Sequence, residues 1–180
     1  MTLPYSIKRH IVVIAFLLLT ATAPHSQEDT ANTAPAATPC QIPEMRQFDF
    51  WVGQWDLTWE GGSGSNTITR QLDDCVIQEQ FDSDAQSNFR GMSVSTFSKL
   101  DGKWHQTWVD NQGGYLDFVG GMKDDRMILS RQAERDGKTF LQRMVWYDIA
   151  GDSLEWNWER SDDNGETWQT LWHISYKRKK

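Results

Sequence analysis

From about residue 50 onward, apolar and polar positions alternate in short runs and helical periodicity is nearly absent. Segments of strand length, rich in aromatic and β-branched residues, fall near 50–60, 66–73, 75–82, 89–98, 103–110, 115–121, 126–133, 138–148, 153–160 and 167–177. Between them stand Gly61-Gly62-Ser63-Gly64, Asp101-Gly102, Gly113-Gly114, Asp136-Gly137 and Gly151-Asp152, residues that take positive φ at little steric cost. Hairpin after hairpin with short loops predicts an antiparallel meander. Closing the meander removes its exposed edges, so the expected fold is all-β: a single antiparallel up-and-down β-barrel of about eight to ten strands. No internal repeat is visible, which argues against a propeller or solenoid.

Alternation also assigns faces, though not which face is inside. Trp104, Gln106 and Trp108 share one face; Leu154, Trp156 and Trp158 share another, opposite Glu155, Asn157 and Glu159. Trp168, Thr170, Trp172, Ile174 and Tyr176 fall together, opposite Gln169, Leu171, His173, Ser175 and Lys177. With ten tryptophans in 180 residues, this pattern predicts an interior lined by indole rings. Such an interior suits a small apolar or amphipathic ligand. Trp104, Trp108, Trp156, Trp158 and Trp172 would be its walls, and Gln106 and Arg143 the few polar groups that fix its orientation. The competing expectation is that these rings simply fill the barrel, giving a structural or interaction module with no ligand.

The segment ahead of the meander bears on compartment. Residues 1–23 read as a secretory signal: Lys8 and Arg9, then the apolar run Ile11 to Leu19, too short to span a bilayer, then Ala21-Thr22-Ala23. Residues 24–39, rich in Ala, Pro and Thr, read as a disordered linker with little to bury, which leaves 40–180 as one domain. The expected location is periplasmic or secreted. Loss of the leader removes Lys8 and Arg9 and no acid, moving the formal charge from −7 to −9. An acidic chain without a basic stripe argues against nucleic acid, or an anionic membrane surface after cleavage, as a partner. Cys40 and Cys75, exported to an oxidising space, are expected to pair. With no further Cys or His at ligand spacing they make a poor zinc site. No cofactor or metal is called for.

Phe48-Asp49-Phe50-Trp51-Val52-Gly53-Gln54-Trp55-Asp56, Asp74-Cys75-Val76-Ile77, Trp104-His105-Gln106-Thr107-Trp108-Val109-Asp110 and Ser161-Asp162-Asp163-Asn164-Gly165-Glu166-Thr167-Trp168 occur in this order. Across residues 40–178 the chain resembles a family of secreted bacterial proteins of unknown function. That resemblance implies a lipocalin-like (calycin-type) barrel and carries no catalytic residues over. In lipocalins the tryptophan of Gly-x-Trp plugs the closed end and a basic side chain near the last strand often stacks on it. Here Gly53-x-Trp55 would be the plug, with Arg178 or Lys177 as partner. Ser161-x-Asp163-x-Gly165-x-Thr167-Trp168 also resembles the Asp-box of sialidase propellers. A single copy reads as a hairpin device, with the Asp carboxylate accepting turn amides and the Trp packing beneath. The tail Trp172-His173-Ile174-Ser175-Tyr176-Lys177 resembles the end of nitrobindins, barrels that bind heme through a histidine. In that alignment the ligand position falls on Leu171, which cannot ligate iron, and His173 is expected to point outward with the polar face. The acidic pairs Asp73-Asp74, Asp124-Asp125 and Asp162-Asp163 read as turn residues, and no catalytic constellation is visible.

Overall fold

The computed structural model describes residues 40–180; the expected signal at 1–23 and linker at 24–39 lie outside the described residues. Ten antiparallel strands follow one another in chain order: β1 (Gly53–Trp59), β2 (Gly62–Gln71), β3 (Val76–Ser83), β4 (Arg90–Ser98), β5 (Lys103–Asp110), β6 (Tyr115–Lys123), β7 (Arg126–Arg135), β8 (Lys138–Tyr147), β9 (Ser153–Ser161) and β10 (Gln169–Arg178). Each pairs with its neighbour in sequence, and β10 pairs with β1 to close the barrel. The closing ladder is short, running from Trp55 opposite Arg178 to Thr58 opposite Ser175. The turns follow the chemistry of their residues. Asp124 and Asp125 both take positive φ in the two-residue β6–β7 hairpin, as a type I′ turn requires. The first hairpin is tighter than the glycine run suggests: the strands are joined by Glu60–Gly61, and Gly62 already pairs with Trp59.

Odd and even loops gather at opposite ends of an up-and-down barrel, and here the two ends differ. One end is plugged. Two short 3-10 turns, Pro43–Arg46 and Asp49–Trp51, carry Phe48 and Trp51 into the interior, where both are fully buried. Phe48 meets Trp104 and Trp146 edge-on, with ring centroids 4.8 and 5.4 Å away, and Trp51 lies 5.3 Å from Trp146. Edge-to-face packing at these separations is the favoured arrangement of aromatic quadrupoles. Trp104 Nε1 donates to Glu44 O and Gln47 Oε1, which fixes the plug to β5. Asp49 is held by Arg46 at 2.9 Å and Arg70 at 2.5 Å. The Cys40–Cys75 disulfide ties the start of this segment to the turn just ahead of β3.

Trp55 is fully buried at the same end, and its Nε1 donates to Trp51 O at 2.7 Å. The Arg178 guanidinium lies 4.1 Å from the Trp55 ring centroid and donates to Val52 O, Phe50 O and Gly151 O at 2.8, 3.1 and 3.0 Å. Lys177, the other basic candidate, is exposed on the outer face. The glycine of Gly53-x-Trp55 is required twice over: its φ is +138°, and the Arg178 guanidinium fills the place a Cβ would take. Gly53→Ala is therefore expected to cost about 1–3 kcal/mol in urea unfolding. A loss under about 0.5 kcal/mol would show that neither constraint matters.

One assignment of faces needs correction. A β-bulge between Thr170 and Trp172 leaves Leu171 without a cross-strand partner. The extra residue reverses the alternation. Trp172, Ile174 and Tyr176 face inward as expected, but Thr170 pairs with Glu159 on the outer face, and Trp168 lies outside as well. Simple alternation along 168–176 fails because it has no means of registering an unpaired residue. Among the described residues, no helix is long and apolar enough to cross a membrane.

Candidate functional site

Between the plug and the opposite end the aromatic packing stops short of filling the barrel. A cavity of about 210 Å³ remains. Its aromatic wall comes from β8, β9 and β10: Trp146, Trp156, Trp158, Trp172 and Tyr176, with Met144 and Ile174 between them. Phe81, Phe89, Trp108, Leu116 and Phe118 complete the lining toward the open end. The rings lock one another in place, Trp156 against Trp172 at 5.8 Å, Phe81 against Trp172 at 5.8 Å, and Phe118 against Trp158 at 5.5 Å. Gly91 is what lets Trp108 lie flat against β4, since a Cβ there would collide with the indole.

The wall built by β2 to β5 is different. Asn66, Glu79, Ser93, Ser95 and Gln106 are all buried on the inner face. Asn66 Nδ2 donates to Glu79 Oε1 at 2.7 Å and to Tyr176 Oη at 3.2 Å. Ser93 Oγ donates to Glu79 Oε2 at 2.6 Å, and Gln106 Nε2 donates to Ser93 Oγ at 3.1 Å and Ser95 Oγ at 2.9 Å. Glu79 itself lines the cavity. Burial pushes its carboxyl up from 4.5 to about 7, against the hydrogen bonds from Ser93 and Asn66, which favour the charged form. Burial and the nearby Glu79 push the Tyr176 phenol well above its ordinary range, so it stays protonated. Trp146 Nε1, Asn66 Oδ1 and Gln106 Oε1 are buried without a hydrogen-bond partner in the protein. The cavity thus has an aromatic side and an acidic, hydrogen-bonding side.

The residues expected at the site separate accordingly. Trp108, Trp156, Trp158 and Trp172 line the cavity. Trp104 does not: it faces inward but belongs to the plug, too close to the closed end to reach the open space. Gln106 is buried inside and reaches the cavity through Ser93 and Glu79. Arg143 is outside the barrel, because Met144 and Trp146 take the inner face of β8. Its guanidinium stacks 3.9 Å from the Trp168 ring centroid and bonds Glu159 at 2.6 Å. Ser161, Asp163, Gly165 and Trp168 form the β9–β10 turn. Asp163 takes Ser161 Oγ and the Thr167 amide, Gly165 has φ of 93°, and Trp168 Nε1 donates to Gly165 O. Those hydrogen bonds hold the Asp163 carboxyl well below its ordinary range. His173 is on the outer face, exposed, with Nδ1 2.9 Å from Asn157 Oδ1 and Nε2 3.2 Å from Glu155 Oε2. His105 is also exposed, beside Asp101.

Glu79 is the group that sequence reading missed. Its signal was present: Ile77, Glu79 and Phe81 share a face, so the alternation that buries the two apolar residues also buries the acid. Asn66 sits in the same relation to Ile68. Compared with known proteins, the chain matches no protein-family model and no curated protein.

Proposed function

We propose that this protein is an exported binding module that takes a small amphipathic molecule into the open end of its barrel, with no catalysis assigned. The observation that carries this is a cavity of about 210 Å³ left beside five tryptophans in a barrel whose other end is plugged by Phe48, Trp51 and Trp55. A cavity of roughly 150 Å³ is enough for benzene, so this one suits a body of about one ring. The closed end answers to the competing description, a filled structural core. Rigid aromatic walls reduce the ordering cost of binding, and one polar side fixes orientation. The disulfide and the resemblance of the Gly53-x-Trp55 region to secreted lipocalin-like proteins support export. A heme is not supported: both described histidines are on the outer surface, and a macrocycle exceeds the space.

Single-ring compounds are expected to change the tryptophan fluorescence saturably. Leu116→Trp, which places an indole near the open end, should weaken that binding at least tenfold while the far-ultraviolet circular dichroism stays unchanged. Equal binding by Leu116→Trp would place the ligand elsewhere. No response to any single-ring compound would favour a module without a ligand.

A further inference from the structure

The chemical class of the occupant can be narrowed, on the basis that the cavity is a binding site. Glu79 lines it, and among the described residues no Lys, Arg or His makes an ion pair with this carboxylate. Buried acids are otherwise paired or neutralised. Asn66 and Gln106, whose Oδ1 and Oε1 have no partner in the protein, stand behind Glu79 and do not line the cavity, so the Glu79 carboxylate is the acceptor that this side presents to an occupant. A second acid, Asp110, stands at the open end, where it takes Trp108 Nε1 at 3.2 Å and the amides of Gln112 and Gly114. The remaining walls are the faces and edges of five indoles and several phenyl rings, whose negative π-faces attract cations.

We propose that the cavity is built for a small organic cation, an ammonium or quaternary ammonium group on a body of about one ring, with its charge held between the Glu79 carboxylate and the surrounding indole faces. An ammonium has three donors and no acceptor, which matches an ionised Glu79 carboxylate, an acceptor-only group on the cavity wall. The groups facing Glu79 from the elements packed around it are Asn66 on β2, Ser93 on β4, Gln106 on β5 and Tyr176 on β10; only Tyr176 titrates, and it stays neutral. Arg131, with its guanidinium 5.9 Å from the Phe118 ring, its Nη1 donating to Gln142 and its Nε buried without a partner, does not line the cavity and makes no ion pair with Glu79.

The test is calorimetry with phenethylammonium, 2-phenylethanol and phenylacetate, which share a ring and differ in charge. A cation selects ionised Glu79, so its binding expels the proton. With the carboxyl at about 7, phenethylammonium should release about half a proton at pH 7 and bind about tenfold more tightly at pH 8 than at pH 6. Titrations in buffers of different ionisation enthalpy read this on the wild-type protein and need no variant. Glu79→Gln should cost phenethylammonium at least tenfold and leave 2-phenylethanol within threefold. Equal or tighter binding of 2-phenylethanol would overturn the cation assignment and leave the binding cavity standing. So would preferred binding of phenylacetate with proton uptake. Failure of all three at millimolar concentration would overturn the assignment and the binding cavity together.

Discussion

Between pH 5 and pH 8 the wild-type barrel should lose about 2.5 kcal/mol of unfolding free energy, and Glu79→Gln should remove most of that dependence. Glu79 is buried among Asn66, Ser93 and Tyr176 with no cationic partner among the described residues, and its carboxyl is raised from 4.5 to about 7. The sign is the reverse of the usual acid. A carboxyl raised in the folded state binds its proton more tightly there than in the unfolded chain. Its contribution is favourable at low pH and is lost as pH rises from about 4.5 through 7, above which the cost is constant. The lowered acids, Asp84, Asp101, Asp110 and Asp163, act in a different window. Their contribution is present above the ordinary aspartate range and is lost as pH falls below about 4. Urea titrations from pH 5 to 8 separate the two. In that range the wild type should weaken steadily. The Glu79→Gln variant, whose neutral amide side chain fits the same space, should hold a nearly level line. Wild-type stability that is flat or rising over this range would mean that Glu79 is solvated or paired in a way the barrel does not show. Keeping an acid inside without a cationic partner costs stability once it ionises, which is consistent with the proposed binding role of Glu79.

Replacing both Cys40 and Cys75 with alanine should lower stability by about 4 kcal/mol relative to the oxidised protein, the chain-entropy value for a loop of this length. The pair closes a separation of 35 residues, and that stretch contains the whole plug. Without it, the plug keeps the packing of Phe48 and Trp51, the Arg46–Asp49–Arg70 ion pairs and the hydrogen bonds from Trp104, Trp55 and Arg178. The comparison should be made by urea unfolding, with thiol titration of the denatured, non-reduced wild type finding no free thiol. A difference under about 1 kcal/mol would mean that the plug is held by its aromatic contacts and that the cross-link adds little.

The fold was legible in the sequence because each strand carries its own signal. Alternation of period two and turns rich in Gly and Asp are local properties, and all ten expected strands occur in order, with most ends shifted by one to three residues. The plug tryptophan was legible through resemblance, since Gly53-x-Trp55 is similar to the signature whose tryptophan plugs lipocalin barrels. The cysteine pair followed from an even count. Where the chain departs from regular pairing, local reading failed: the bulge at Leu171 reverses the parity before it, and Trp168 moved to the outside.

What the sequence by itself determined is the class of fold, the aromatic character of the interior and the two cysteines that pair. What only the tertiary structure decided is which of the buried groups meet. Trp104 and Trp108 share a face of β5, yet one seals the closed end and the other borders open space, because height along the barrel is set by the register of ten strands together. Arg143 is a neighbour of the lining residue Met144 and still lies outside, because inside and outside are defined only once the sheet closes. Asn66, Glu79, Ser93, Gln106 and Tyr176 come from five strands, and no pattern within one strand shows that they converge on one carboxylate. The cavity follows from the same closure: the number of strands sets a fixed circumference, and the side chains supplied on the open half do not fill it.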